Sequence, residues 1–119
     1  MRILVVEDQE DNRRIVHDLL TSVGYEIVEA VTGEEGVRMA ETRAPDLILM
    51  DIQLPGIDGY EATRRIKANA ALRQIPLIAV TSYGLSGDDV KAFEAGCDAY
   101  VSKPFSPRAL LAKIREFLP

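Results

Sequence analysis

Apolar residues fall in five short runs, at residues 3–6, 26–30, 47–50, 77–80 and 99–101, mostly built from β-branched or aliphatic side chains. Their length and composition predict β-strands. A segment with helical spacing follows each. The first helix is predicted over 11–23, with Ile15, Leu19 and Val23 four apart on one face and Gly24 as the stop. Thr32-Gly33-Glu34-Glu35 is a capping-box pattern that opens the second helix, and Asp58-Gly59-Tyr60-Glu61 gives a related start for the third. Ser86 is the expected cap of the fourth helix, which Gly96 ends. Ser106-Pro107 opens the fifth with a cap and a proline at the first helical position, and Leu110, Leu111, Ile114, Phe117 and Leu118 form its apolar stripe.

Five strand–helix units predict an α/β fold with a mainly parallel sheet and helices on both faces. A closed barrel of eight units needs about 250 residues, and the chain has 119. An open, doubly wound sheet in one domain, residues 1–119, is therefore expected. The hydrophobic content of 47% is enough for a core without staples. Cys97 is the single cysteine, so no intrachain disulfide forms, and a reducing cytoplasmic setting is expected. No apolar run approaches a membrane span. The net charge of −5 and the lack of a basic block disfavour nucleic acid as a partner. Arg13-Arg14 and Arg64-Arg65 read as solvated helix faces, and His17 stands on the first helix with no partner in view.

Open parallel sheets bind ligands beyond the carboxyl ends of their strands. Read in order, those exits offer Glu7 and Asp8, then Val31 and Thr32, then Asp51, then Thr81 and Ser82, then Ser102, Lys103 and Pro104. Taken singly, each has a plain reading: acids favour a helix N-terminus, a threonine ends a strand, a lysine lies on the surface. Together they are complementary. Clustered carboxylates repel unless a cation compensates them, and an all-oxygen set suits a hard ion such as Mg2+. A lysine and a hydroxyl beside them suit an anion. A phosphoryl group calls for all three, and aspartate is a nucleophile for phosphoryl transfer.

The motifs VVEDQEDN at 5–12, PDLILMDIQLPGIDG at 45–59, AVTSY at 79–83 and AGCDAYVSKPF at 95–105 resemble the receiver domain of bacterial two-component response regulators over nearly the whole chain. The resemblance implies a flavodoxin-like (βα)5 sheet in the order 2-1-3-4-5. It implies that Asp51 is the phosphoacceptor and that Glu7, Asp8, Asp51 and the backbone carbonyl of Gln53 surround Mg2+ or Mn2+, with Glu7 acting through water. Thr81 matches the switch hydroxyl, Tyr100 the switch aromatic and Lys103 the phosphate-binding lysine; the Lys103–Pro104 peptide is expected to be cis. Gln53 and Tyr83 occupy the positions that tune phosphoryl lifetime. The expected partners are a sensor histidine kinase or histidine phosphotransfer protein, and a downstream protein that reads the face of the fourth helix, fifth strand and fifth helix, through which receivers also dimerise. Such a domain is a signalling phosphoacceptor and not an enzyme acting on free substrates. A phosphatase of the haloacid dehalogenase type places a second Asp two residues after the first, where this chain has Gln53. A pseudo-receiver would lack part of the set that is intact here. A flavin binder would carry a phosphate-cradling loop after the first strand.

Overall fold

The computed structural model describes residues 1–81, 88–103 and 105–118. The expected cap Ser86, together with Ser82, Tyr83 and the Lys103–Pro104 peptide, lies outside the described residues. Strands and helices alternate as the periodicity predicts: β1 (Arg2–Val6), α1 (Glu10–Ser22), β2 (Glu26–Ala30), α2 (Gly33–Arg43), β3 (Leu47–Asp51), α3 (Gly59–Ala68), β4 (Leu77–Thr81), α4 (Asp88–Ala95), β5 (Ala99–Ser102) and α5 (Pro107–Arg115). All pairings are parallel and the sheet order is β2-β1-β3-β4-β5. The expected topology is therefore the observed one.

Burial explains the composition of each strand. The central strands β3 and β4 are buried at every residue, which requires unbroken apolar runs, whereas edge strand β5 alternates. Successive side chains point to opposite faces, so each strand feeds two cores. Leu4, Val6, Ile48 and Met50 pack with Ala40 of α2, Ala62 and Ile66 of α3, and Ala92 of α4. Ile3, Val5, Leu47 and Leu49 pack with Val16 and Leu20 of α1 and with Leu110 and Ile114 of α5.

Three of the expected helix starts act as caps. The Thr32 hydroxyl accepts from Glu35 N, Asp58 from Glu61 N, and Ser106 from Ala109 N. The reciprocal half of the α2 box falls one residue early, since Glu35 Oε1 accepts from Val31 N at 3.0 Å. Gly24 and Gly96 hold positive φ, as their helix-ending role demands.

The α1 stripe needs correction. The residues α1 buries are Val16 and Leu20, while Ile15 is 62% exposed and Val23 is also exposed. The helix sits with the next row of side chains inward, so Leu19 only flanks the core. A second departure is Ala44, which ends α2 at φ +46. Pro45 follows it and disfavours continuation of the helix, and Ala44 stands as a non-glycine residue in the left-handed region.

Candidate functional site

Three strands deliver charged groups to the same side of the sheet. Glu7 continues the side-chain alternation of Ile3 and Val5, Asp51 that of Leu47 and Leu49, and Lys103 that of Ala99 and Val101, all of which face α1 and α5. The ladder runs one residue past each strand and so fixes these exits. Glu7 N donates to Ala30 O at 3.0 Å, Ile52 N to Val80 O at 3.1 Å, and Lys103 N to Thr81 O at 2.6 Å.

The side chains then converge. Lys103 Nζ donates to Glu7 Oε1 at 2.7 Å and to Asp51 Oδ2 at 3.4 Å. Glu7 Oε2 accepts from Gln9 N, and Asp51 Oδ1 from Gln53 N, each at 3.2 Å. Glu7 and Asp51 are buried, whereas Asp8 is exposed at the rim. One carboxylate oxygen from each of Glu7, Asp8 and Asp51 lies within 4.8 Å of the others. That spacing and an all-oxygen donor set fit a hard divalent cation.

Electrostatics separate the two buried acids. Burial, then a hydrogen bond with Glu7 and its charge, push Asp51 up to about 7. Burial also acts against ionisation of Glu7, but hydrogen bonds from Asp51, Lys103 and Gln9 N hold it below its ordinary value. Of the two carboxyls, Asp51 is therefore the one that holds a proton more readily. Burial disfavours the Lys103 ammonium, yet the two carboxylates outweigh it and raise Lys103 above the usual lysine value. A second positive charge beside Asp51 would release its proton.

Beyond this cluster, Thr81 is buried at the end of β4, and register pairs it with Ser102. Tyr100 is 37% exposed and turned away, its ring edge-on to Phe93 with centroids 6.0 Å apart. Gln53 is an exposed loop residue beside Asp51. A cavity of about 480 Å³ runs from Glu7, Asp51 and Lys103 between α1 and α5, past Val16, Phe105 and Leu110, with Ile15 at its lip.

Residue patterns alone missed three supports. Gly59 packs so closely that a Cβ would lie 2.2 Å from Asp51 O, a contact signalled only by the glycine itself. Glu34 of α2 accepts from Ile57 N at 3.2 Å and braces the loop after β3. Arg13 is not a solvated residue: its side chain is 17% exposed and its guanidinium donates to Glu7 O at 3.0 Å. Arg14, Arg64 and Arg65 do lie in solvent. His17, isolated in the sequence, has a neighbour in Glu29.

Residues 3–115 match the response regulator receiver domain. The chain belongs to that family. The receiver is 41% identical to the polar-differentiation response regulator DivK of Brucella ovis, over 98% of this chain and 94% of that one. The receiver domain of a sensor histidine kinase from Pseudomonas aeruginosa PAO1, solved with magnesium coordinated in its active-site cleft, superposes with a TM-score of 0.91 at 39% identity, covering 98% and 95% of the two chains. Vibrio cholerae chemotaxis protein CheY4 superposes with a TM-score of 0.92 at 25% identity, covering 98% of each. This receiver is thus a two-component signalling domain with a CheY-like fold.

Proposed function

We propose that this receiver takes a phosphoryl group onto Asp51 from the phosphohistidine of a sensor kinase or histidine phosphotransfer protein, and that the modified site changes a protein-binding face. The observation that carries this reading is the convergence of Lys103 Nζ and the carboxylates of Glu7 and Asp8 on a buried strand-exit aspartate, Asp51. Asp8, Asp51 and the Gln53 carbonyl would hold Mg2+ or Mn2+. Glu7, which holds the shorter contact to Lys103 Nζ at 2.7 Å, would act on the ion through water. A divalent ion there supplies positive charge that neutralises the acids and the phosphoryl oxygens.

The ionised Asp51 oxygen attacks phosphorus in line. The phosphorus–nitrogen bond breaks as the new phosphorus–oxygen bond forms, and its electron pair returns to the imidazole. Lys103, freed from part of its pairing with Asp51, turns to the transferred oxygens. Catalysis of this kind is positioning and charge stabilisation. Thr81 then donates to a phosphoryl oxygen, and Tyr100 leaves Phe93 for the space behind Thr81. That exchange alters the α4–β5–α5 face, where Val90 and Phe93 are exposed. The change biases two pre-existing arrangements of one fold. We assign the protein to the cytoplasm; none of the described helices is long and apolar enough to cross a membrane.

Incubation with acetyl phosphate and Mg2+ tests the assignment. The native protein should gain one acid-labile phosphoryl group, read by intact mass, and Asp51→Asn should gain none. Undiminished labelling of Asp51→Asn would overturn it.

A further inference from the structure

The acidic turn that follows β1 is gripped from outside by a residue that touches no reacting atom. Arg13, one turn into α1, folds back so that Nη1 reaches Glu7 O at 3.0 Å and Asp8 O at 3.5 Å. These are the carbonyls of the two acids that form one wall of the metal centre. The guanidinium is steadied in turn. Its Nε lies 3.3 Å from Glu29 Oε2, on the side of edge strand β2 that faces α1. The other oxygen of the same carboxylate, Glu29 Oε1, stands 2.8 Å from His17 Nδ1. That nitrogen is sealed from solvent and makes no hydrogen bond, while the Glu29 side chain beside it stays 38% exposed. Glu7 N is meanwhile bonded to Ala30 O, the residue next to Glu29. The Glu7–Asp8 turn is therefore anchored twice to the end of β2, once by its amide and once through Arg13.

We propose that Arg13, braced by Glu29 and His17, is a positioning residue that fixes the Glu7–Asp8 turn and so sets the metal affinity of the centre. The proposal rests on the reading that these carboxylates hold Mg2+. A planar guanidinium suits the task, because its fork can serve two carbonyls and a carboxylate together; a lysine offers a point charge to one of them. Asp8 is the exposed member of the acidic set, so its direction depends most on the backbone beneath it. Groups that orient metal ligands commonly change affinity by tenfold or more when removed.

The test is a Mg2+ titration of the full chain followed by amide chemical shifts, alongside the rate of labelling by acetyl phosphate as a function of Mg2+. Arg13→Gln should raise the dissociation constant for Mg2+ about tenfold, with the labelling rate at saturating Mg2+ unchanged. Glu29→Gln should raise it about threefold, the scale of an exposed ion pair. The double variant should match Arg13→Gln alone, since Glu29 acts through Arg13. Arg13→Lys should restore little. Arg14→Gln, whose partner is the solvent-exposed Glu10, should bind Mg2+ like the native chain. A native-like Mg2+ affinity in Arg13→Gln, or a lowered saturating rate with unchanged half-saturation, would overturn the proposal. If Arg13→Gln fails to fold, Glu29→Gln decides, and a native-like affinity there overturns it. Absence of Mg2+ binding in the native chain would instead overturn the metal reading itself.

Discussion

A methyl group on Gly59 would meet the carbonyl oxygen of Asp51 at 2.2 Å and the Cα of Ile52 at 2.6 Å. Both are backbone atoms, so no side-chain rotation relieves the clash. Gly59→Ala should destabilise the fold by about 1–3 kcal/mol, the usual cost of overpacking, in urea unfolding. It should also slow acetyl phosphate labelling, because the displaced atoms belong to the acceptor. Asp51 itself carries a penalty. Its carboxyl is pushed from 3.8 to about 7 by burial and by Glu7, so the native state binds a proton that the unfolded chain has lost between those values. Stability of the metal-free protein should therefore fall as pH rises from about 4 to about 7 and then level off, by roughly 2–4 kcal/mol. Asp51→Asn should flatten that slope and be the more stable protein at pH 8 without metal; a native slope retained in Asp51→Asn would refute the cause. The meeting of Glu7, Asp8, Asp51 and Lys103 was legible because each follows an apolar run that marks a strand exit. Arg13 was not, because helical spacing registers the side of α1 it lies on and not the reach of a long side chain toward Glu29.

At the level of elements, boundaries were read from caps and proved good to about one residue, while the inward side of α1 was not. Ile15, Leu19 and Val23 form as regular a row as Val16 and Leu20, and only packing on the sheet chooses between them. Ala44 was equally hidden, since alanine has no preference for the left-handed conformation it adopts. Ala44→Gly should therefore stabilise the protein by about 0.5 kcal/mol, the relief of the left-handed penalty less the added freedom of the unfolded chain, seen as a higher Tm. One lysine ties α3 to the loop before β4 and to the residue before β5. Lys67 Nζ donates to Arg73 O at 2.9 Å, Ile75 O at 2.8 Å and Asp98 Oδ2 at 2.9 Å, and that same Asp98 oxygen accepts from Leu77 N. Lys67→Met keeps the stem and removes the donor, which should cost about 2–3 kcal/mol for the acceptors left unpaired.

Over the whole molecule, two cores divide the work. The α1–α5 side carries the acids and the lysine, and the α4 side carries Phe93 and Tyr100. On the proposed mechanism a phosphoryl signal would cross from one side to the other, with Thr81 at the end of β4. Tyr100→Ala should thus leave acetyl phosphate labelling within about twofold of the native rate while weakening capture of a downstream partner; loss of labelling would place Tyr100 in the chemistry instead. The open parallel sheet was readable from five alternating units, whereas its strand order followed only from the resemblance of the strand-exit motifs to receiver domains.

The Lys103–Glu7 contact joins residues 96 positions apart. A chain that stops before β5 has its acids but not this ammonium. On the proposed mechanism such a truncated copy stays silent instead of sending a partial message.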